Sequence, residues 1–258
     1  MQNHDLLRPY ADKDYEAGWN PYLENDAETG IDFGIHVLED GMFETFVSAT
    51  QEIAILIVKG KGGIKLDGKE ETFDRACWMN QSPWAAHAPK NTPIEVYANG
   101  HTEIAVIKTE NTETFPAKIY TPDEVENEHR GKDILDDASY RIVRCVFDRR
   151  WAPENAKLVL GEVVNFPGKW SSYPPHHHPQ PELYYYRMEP EWGYGHGELG
   201  ETVYKIRHKD LLKITDERDH AQVSAPGFHM YYLWTIRHLP GEPYNGFTFT
   251  KPFESLLK

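Results

Sequence analysis

The chain has 258 residues, of which 40% are hydrophobic and 13% aromatic, and a formal net charge of −14. This length fits one large domain or two domains of about 125 residues each. The acidic balance argues against a nucleic-acid partner, and no apolar run approaches the roughly 20 residues that cross a bilayer.

The N-terminal half has the pattern of short β-strands joined by tight turns. An apolar run at residues 53–58 predicts a buried strand, and the glycine-rich segment 60–63 predicts a turn after it. Asp67-Gly68 predicts a hairpin, because this dipeptide favours the turn that matches strand twist. A second hairpin is predicted where the alternating segment 94–107 passes through Asn99-Gly100. Such a series of short strands is typical of a sandwich or a barrel.

A polar connector follows, and then the β pattern resumes. The segment that begins Thr121-Pro122 is acidic and predicts one helical turn. Two β-rich halves about a central connector indicate an all-β chain with a duplicated barrel. Its predicted parts are an N-terminal barrel without a metal site at 1–115, a connector at 116–155 and a metal-binding barrel at 156–258. The predicted strands of the second barrel are 158–164, 183–186, 201–206, 230–236 and 246–250.

A cluster of potential metal ligands lies early in the second half. His176, His178 and Glu182 fall within seven residues, between prolines and ahead of an aromatic strand. Two histidines at i and i+2 point the same way in extended chain, and the glutamate can return from the next strand. Two imidazoles and one carboxylate suit Zn, Fe, Mn or Ni and leave room for water or substrate. This spacing is typical of a cupin metal site.

The motif around these ligands resembles a known family. Trp170-Ser-Ser-Tyr-Pro-Pro-His176, then Glu182-Leu-Tyr-Tyr-Tyr-Arg187 and the segment 225–233 are similar to the 5-deoxy-glucuronate isomerases of inositol catabolism. Those enzymes are bicupins related to the 5-keto-4-deoxyuronate isomerases of pectin breakdown, so the resemblance implies an all-β bicupin with two double-stranded β-helix (jelly-roll) barrels in one chain. The resemblance covers most of residues 110–236. It implies a metal-dependent isomerisation of 5-deoxy-glucuronate, a small sugar acid, to 2-deoxy-5-keto-gluconate.

A fourth metal ligand is expected from a distant strand. The general cupin pattern of Pro-Gly ahead of a histidine favours His229, whereas alignment with the family favours His220. We predict His220 as the ligand, with His229 beside the cavity. The predicted metal set is therefore His176, His178, Glu182 and His220, holding a divalent ion for which zinc is favoured and manganese or iron are alternatives.

Further residues are predicted to act on the substrate. Arg187 is a candidate for binding the carboxylate of the sugar acid. Its odd spacing from Glu182 puts it on the opposite face of a regular strand, so a structural ion pair is the alternative. His229, His196 and Tyr232 are candidates for proton transfer or for lining the pocket.

Two alternative functions fit the same residues. Departures near His220 and at Trp234 favour, as the first alternative, the isomerase of another uronate such as 5-keto-4-deoxyuronate. A cupin Fe(II) dioxygenase is the second, because two histidines and a carboxylate also suit that chemistry. With only Cys77 and Cys145 available for a disulfide, we expect a cytoplasmic protein with reduced thiols. We also expect a homo-oligomer without nucleic-acid or membrane partners.

Overall fold

The computed structural model describes residues 4–257, which are 49% strand and 4% helix. The expectation of an all-β chain is therefore confirmed. No helix in the described part of the chain is long and apolar enough to cross a membrane. The short 3-10 helices are Pro122–Glu124, Leu135–Asp137 and Phe253–Leu257. The first of these is the predicted helical turn after Thr121, whose hydroxyl and backbone form a capping box with Glu124.

The strands follow one another with short connections. In chain order, the strands of the first half are β1 (Leu6–Leu7), β2 (Gly18–Leu23), β3 (Asp32–Leu38), β4 (Phe43–Phe46), β5 (Gln51–Leu66), β6 (Lys69–Arg75), β7 (Ala85–Ala88), β8 (Ile94–Ala98), β9 (Thr102–Glu110) and β10 (Lys118–Tyr120). Those of the second half are β11 (Glu128–Arg130), β12 (Arg141–Phe147), β13 (Leu158–Asn165), β14 (Trp170–Ser171), β15 (His176–His177), β16 (Glu182–Glu189), β17 (Tyr194–Leu199), β18 (Thr202–Arg207), β19 (Leu211–Ile214), β20 (Gln222–Ser224), β21 (His229–Arg237) and β22 (Thr248–Phe249).

The chain divides into two units that are interleaved in sequence. The N-terminal unit comprises residues 13–126 and 145–160, and the C-terminal unit comprises 4–12, 127–144 and 161–257. The predicted connector, 116–155, is thus distributed between both units. The boundary between the units falls inside β12 and inside β13.

The N-terminal unit is organised around the long strand β5. The first part of β5 pairs with β7 and β9, and its second part pairs with β6 and β8. The predicted hairpin at Asp67-Gly68 is confirmed, since Leu66 pairs with Lys69 across it. The side chains of β5 and its neighbours that face inward form an apolar core that includes Ile55, Ile57, Val96 and Val106.

Two local predictions in this unit were wrong. The segment 60–63 is not a turn but continues β5, and Gly62 and Gly63 allow the close approach of Tyr97, which a Cβ atom would prevent. Asn99-Gly100 does not close a hairpin, because β8 pairs with β4 and β5 whereas β9 pairs with β3 and β5. Before this turn the chain pairs, as β8, with the second part of β5, and after it the chain pairs, as β9, with the first part.

The C-terminal unit contains the sheet order β1-β19-β16-β21-β13-β12-β11 and a second sheet, β14-β20-β17-β18. The short strands β15 and β22 pair with each other. On one face of the first sheet, Val143, Val163, Tyr184, Tyr232 and their neighbours form an apolar core. Glu182 begins β16 on this same face, because it lies two residues before Tyr184 and side chains alternate along a strand.

The opposite face of this sheet carries a buried ion pair. Arg144 Nη1 lies 2.8 Å from Glu162 Oε1, and Tyr231 donates a hydrogen bond to Glu162 Oε2 at 2.9 Å. Arg144 is also bonded through Nε to Asn127 Oδ1 at 2.7 Å. These contacts compensate two charges that are almost completely buried.

Removing one partner of this pair is expected to destabilise the protein strongly. We expect Glu162→Ala to lower the free energy of unfolding by about 3–5 kcal/mol, because it leaves the Arg144 charge buried without its carboxylate. Urea unfolding followed by circular dichroism measures the loss. The double variant Arg144→Met/Glu162→Leu, which buries no charge, should lose less than the single variant. A larger loss in the double variant would contradict this account of the pair.

Candidate metal centre

Three ligand-type side chains converge in the C-terminal unit. His178 follows β15, Glu182 begins β16 and His220 lies two residues before β20. Their ligand atoms all lie within 4.8 Å of one another, and all three residues are buried. His178 Nε2 is 3.1 Å and His220 Nε2 is 3.4 Å from the same atom, Glu182 Oε2. The two nitrogens and the carboxylate therefore surround one small volume.

The backbone fixes the orientation of each imidazole in this region. His178 Nδ1 lies 3.0 Å from the Gln180 carbonyl oxygen, and His220 Nδ1 lies 3.0 Å from the Arg218 carbonyl oxygen. A carbonyl only accepts, so each Nδ1 carries the proton and donates, and each Nε2 keeps its lone pair. Such an outer hydrogen bond is the usual support of a metal-binding histidine.

His220 provides the test of whether these residues fit a metal ion. Its side chain is 1% exposed, and its Nε2 has no hydrogen-bond partner among residues 4–257. Burial lowers the pKa of His220, so the ring is neutral and Nε2 is an acceptor. A buried acceptor without a donor is costly, and a divalent cation would satisfy it. The donor set of two imidazoles and one carboxylate fits such an ion.

His176 lies beside these three residues rather than within the tight group. Its ring centroid is 4.8 Å from that of His220, and its Nδ1 is 3.2 Å from the Pro174 carbonyl oxygen. Its Nε2 is therefore also left as an acceptor. On its other side the ring stacks on Phe247 with a centroid distance of 4.1 Å. Burial and the neighbouring His220 lower the pKa of His176 well below its ordinary value.

These lowered pKa values predict an acid-sensitive apoprotein. In the unfolded chain both histidines take up a proton near pH 6.5, whereas in the folded protein they remain neutral. The unfolded state therefore binds more protons, and the free energy of unfolding of metal-free protein should fall as the pH drops below about 6.5. In His176→Gln this decline should be shallower by up to about 1.4 kcal/mol per pH unit. Urea unfolding between pH 7 and pH 5 measures this decline. If the free energy of unfolding falls equally steeply in wild type and in His176→Gln, the lowered pKa assigned to His176 is wrong.

The serines of the Ser-Ser-Tyr-Pro-Pro-His motif hold the tyrosines next to the centre. Tyr232 is hydrogen-bonded through its hydroxyl to Ser171 Oγ and, at 3.2 Å, to Ser172 Oγ. Ser172 Oγ also lies 3.1 Å from the Tyr184 hydroxyl. The Tyr184 ring is 5.8 Å from the His220 ring and 4.7 Å from that of Tyr232. Burial raises the pKa of both tyrosines, which therefore remain protonated donors.

The other predicted substrate residues lie farther away. His229 pairs with Glu189 at the far end of β16, seven residues from Glu182, or about 23 Å along a strand. Arg187 lies on the face of β16 opposite to Glu182, where its Nη1 is 3.2 Å from His208 Nε2. His196 is on β17 in the second sheet, beside Tyr194. The structure thus brings His220, but not His229, to Glu182, and the catalytic roles of the others stay predictions.

Some residues around the centre were not predicted. Tyr244 contacts His178 with a ring distance of 5.0 Å, and Phe247 covers His176 from the segment that leads into β22. The alternating Phe-Thr-Phe-Thr of residues 247–250 predicted a strand, but nothing local indicated that β22 would pair with β15. Gln222 accepts from the Tyr186 hydroxyl at 2.7 Å and donates to the His220 carbonyl at 2.8 Å, which ties the His220 loop to β16.

Solved structures with the same architecture support an all-β, cupin-like fold. An IolB-like protein from Salmonella typhimurium superposes with a TM-score of 0.81 at 20% identity, covering 94% of this chain and 96% of that one. A cupin 2 conserved barrel domain protein from Leptotrichia buccalis gives a TM-score of 0.54 at 12% identity, covering 92% and 98%. At these identities the likeness concerns the fold alone.

Sequence comparison identifies relatives with a named activity. A protein named 5-deoxy-glucuronate isomerase from Geobacillus kaustophilus is 28% identical over 225 residues, which are 79% of this chain and 78% of the relative. The model of the KduI/IolB family matches residues 12–256, a span that includes the His178, Glu182 and His220 group. On that match, nearly the full length of the chain, the protein belongs to the KduI/IolB family.

Proposed function

We propose that this chain is a metal-dependent 5-deoxy-glucuronate isomerase of myo-inositol catabolism, which converts 5-deoxy-glucuronate to 2-deoxy-5-keto-gluconate. The observation that carries the proposal is the buried group of His178, Glu182 and His220 in a member of the KduI/IolB family. The name of the Geobacillus kaustophilus relative supports the substrate. The resemblance of the Ser-Ser-Tyr-Pro-Pro-His motif to the same enzymes agrees with it.

The metal would be held by His178, Glu182 and His220, with His176 as the fourth ligand. Its Nδ1 hydrogen bond leaves His176 Nε2 available in the same way as the other two imidazoles. Zinc is the favoured ion, and manganese or iron are the alternatives. When bound, such an ion supplies Lewis-acid polarisation of a substrate oxygen, which acidifies the neighbouring C–H bond.

The chain's own side chains would orient the sugar and exclude water. Tyr184 and Tyr232 present hydroxyl groups whose pKa values burial keeps above the ordinary range, so they would act as hydrogen-bond donors rather than bases. Tyr244 and Phe247 contact the rings of His178 and His176 and shield that side of the centre. For the proton-transferring base, His196 and His229 remain candidates.

A second candidate function is isomerisation of another uronate, such as 5-keto-4-deoxyuronate. Trp234 favours this candidate because it stands on the same face as Tyr232, packs against Gly161, and departs from the pattern of the isomerases that the chain resembles. An assay of wild-type protein with 5-deoxy-glucuronate and a panel of other uronates tests both candidates. Turnover of 5-deoxy-glucuronate at least as efficient as that of every other uronate supports the first proposal, and a clear preference for another uronate overturns it. Oxygen consumption would instead support an iron dioxygenase.

We further propose that each half of the chain is a jelly-roll barrel of the bicupin type, with 1–115 and 156–258 as barrels and 116–155 as the connector. The protein is proposed to act in the cytoplasm as a homo-oligomer on a small sugar acid. Light scattering of the purified protein tests the oligomeric state, and a monomeric mass would contradict this part of the proposal.

A further inference from the structure

The face of the sheet that carries Glu182 also carries an arginine on β12. Val143 belongs to the apolar core on this face, together with Tyr184 and Tyr232. Arg141 lies two residues before Val143 on the same strand, so its side chain projects to the same face. In the sheet order, β12 is separated from β16 by β21 and β13. Arg141 thus shares a face of the sheet with Glu182, on a strand that is three places away in the sheet order.

The charge of Arg141 is not compensated within the described chain. The residue is half-buried, and Nη1 donates to the Ser139 carbonyl oxygen at 2.8 Å. Among residues 4–257 no carboxylate lies within ion-pair distance of it. Its cross-strand neighbour Arg130, in contrast, is paired with Glu128 at 2.6 Å. A guanidinium has five N–H donors, so most of the hydrogen-bonding capacity of Arg141 is left for a ligand or water.

Electrostatic effects at the metal centre agree with this position. Burial raises the pKa of Tyr232, and the Ser171 and Ser172 hydroxyls and the charge of Arg141 oppose that rise. The same guanidinium contributes to the lowered pKa of His176, after burial and the neighbouring histidines. Arg141 therefore acts on the two groups that flank the centre.

A second polar group on this face also lacks a partner. Asn165 lies two residues after Val163 on β13 and is fully buried. Its Nδ2 donates to the Lys169 carbonyl oxygen at 2.6 Å, but its Oδ1 has no hydrogen-bond partner in the described part of the chain. A buried acceptor of this kind is normally satisfied, and a hydroxyl group of a bound sugar would satisfy it.

We propose that Arg141 binds the carboxylate of the sugar-acid substrate, at the end of the molecule remote from the metal. The planar guanidinium matches a carboxylate with two parallel hydrogen bonds, and partial burial strengthens the contact. Arg187, the arginine that the sequence suggested for this role, projects from the opposite face of β16. This inference rests on the proposed function only in taking a sugar acid as the substrate class.

The test measures binding rather than turnover, with two probes of nearly the same shape, one with a carboxylate and one with a neutral carboxamide in its place. Calorimetry gives the Kd of glucuronate and of glucuronamide for zinc-loaded wild type, Arg141→Gln, Arg141→Lys and the exposed control Arg207→Gln. We expect Arg141→Gln to weaken glucuronate binding by about ten- to a hundredfold and to leave glucuronamide binding within about twofold. Arg141→Lys keeps the charge but not the planar guanidinium with its two parallel N–H donors, so it should weaken glucuronate binding by an intermediate factor. Arg207→Gln should bind both probes as wild type does.

Three outcomes would overturn the proposal. These are equal weakening of both probes in Arg141→Gln, unchanged glucuronate binding in that variant, and a wild type that does not prefer glucuronate to glucuronamide. Zinc content and the midpoint of urea unfolding show whether each variant is folded. If Arg141→Gln does not fold, the comparison of the two probes is made with Arg141→Lys instead. The proposed isomerase activity has its own test, because it is refuted only if the wild type does not turn over 5-deoxy-glucuronate.

Discussion

Replacement of His220 by alanine is expected to weaken metal binding by more than a hundredfold and to abolish metal-dependent turnover. His220 Nε2 is a buried acceptor that no residue of the described chain satisfies, and it lies 3.4 Å from Glu182 Oε2. Loss of a residue that merely supports a metal ligand costs about ten- to a hundredfold in affinity, so loss of a ligand itself should cost more. Metal content after dialysis against a chelator of known affinity measures the effect.

The matched control for this variant is His229→Ala. His229 is the other histidine that the sequence offered as a ligand, but it pairs with Glu189 at the opposite end of β16. We expect His229→Ala to retain its metal with wild-type affinity. Loss of metal from His229→Ala together with retention by His220→Ala would show that the centre is not where the geometry puts it.

The second large effect is expected from Glu182→Gln, which changes charge but hardly changes shape. Glu182 Oε2 is the atom that both His178 Nε2 and His220 Nε2 approach, and it brings the negative charge of the group. A neutral amide binds a dication far more weakly than a carboxylate, so we expect at least a hundredfold loss of affinity and a matching loss of turnover. Calorimetric titration of the apoprotein with zinc measures it.

Glu189→Gln is the control for the removal of a carboxylate from the same strand. Glu189 ends β16 and is exposed, so its replacement should leave zinc affinity unchanged. The account of the centre would be wrong if Glu182→Gln bound zinc as tightly as Glu189→Gln does. Both variants should unfold at similar urea concentrations in the metal-free state, which separates metal loss from misfolding.

The features that were predictable from sequence are those that depend on neighbours along the chain. The apolar run at 53–58, the Asp67-Gly68 hairpin and the helical turn after Thr121 are local, and the structure contains each of them. The grouping of His178 with Glu182 is also local, because only three residues separate them. The choice of His220 needed the family resemblance, since the residues alone left His229 open.

The features that escaped prediction depend on tertiary pairing. Taken with their neighbours in sequence alone, Gly62 and Gly63 predict a turn. In the fold they leave room for Tyr97, which packs closely against β5 at these two positions. The pairing of β22 with β15, which puts Phe247 on His176, joins segments about 70 residues apart and leaves no local pattern. Arg141 has no motif of its own, and only its alternation with Val143 along β12 shows that it shares the face of the sheet that carries Glu182.

The measurement that tests the central claim most directly is isomerisation of 5-deoxy-glucuronate, followed by NMR, with and without a metal chelator. The account predicts that zinc-loaded protein forms 2-deoxy-5-keto-gluconate, that the chelator stops the reaction, and that added zinc restores it. Unchanged turnover in metal-free protein, or no turnover by folded protein with its metal bound, would contradict the account.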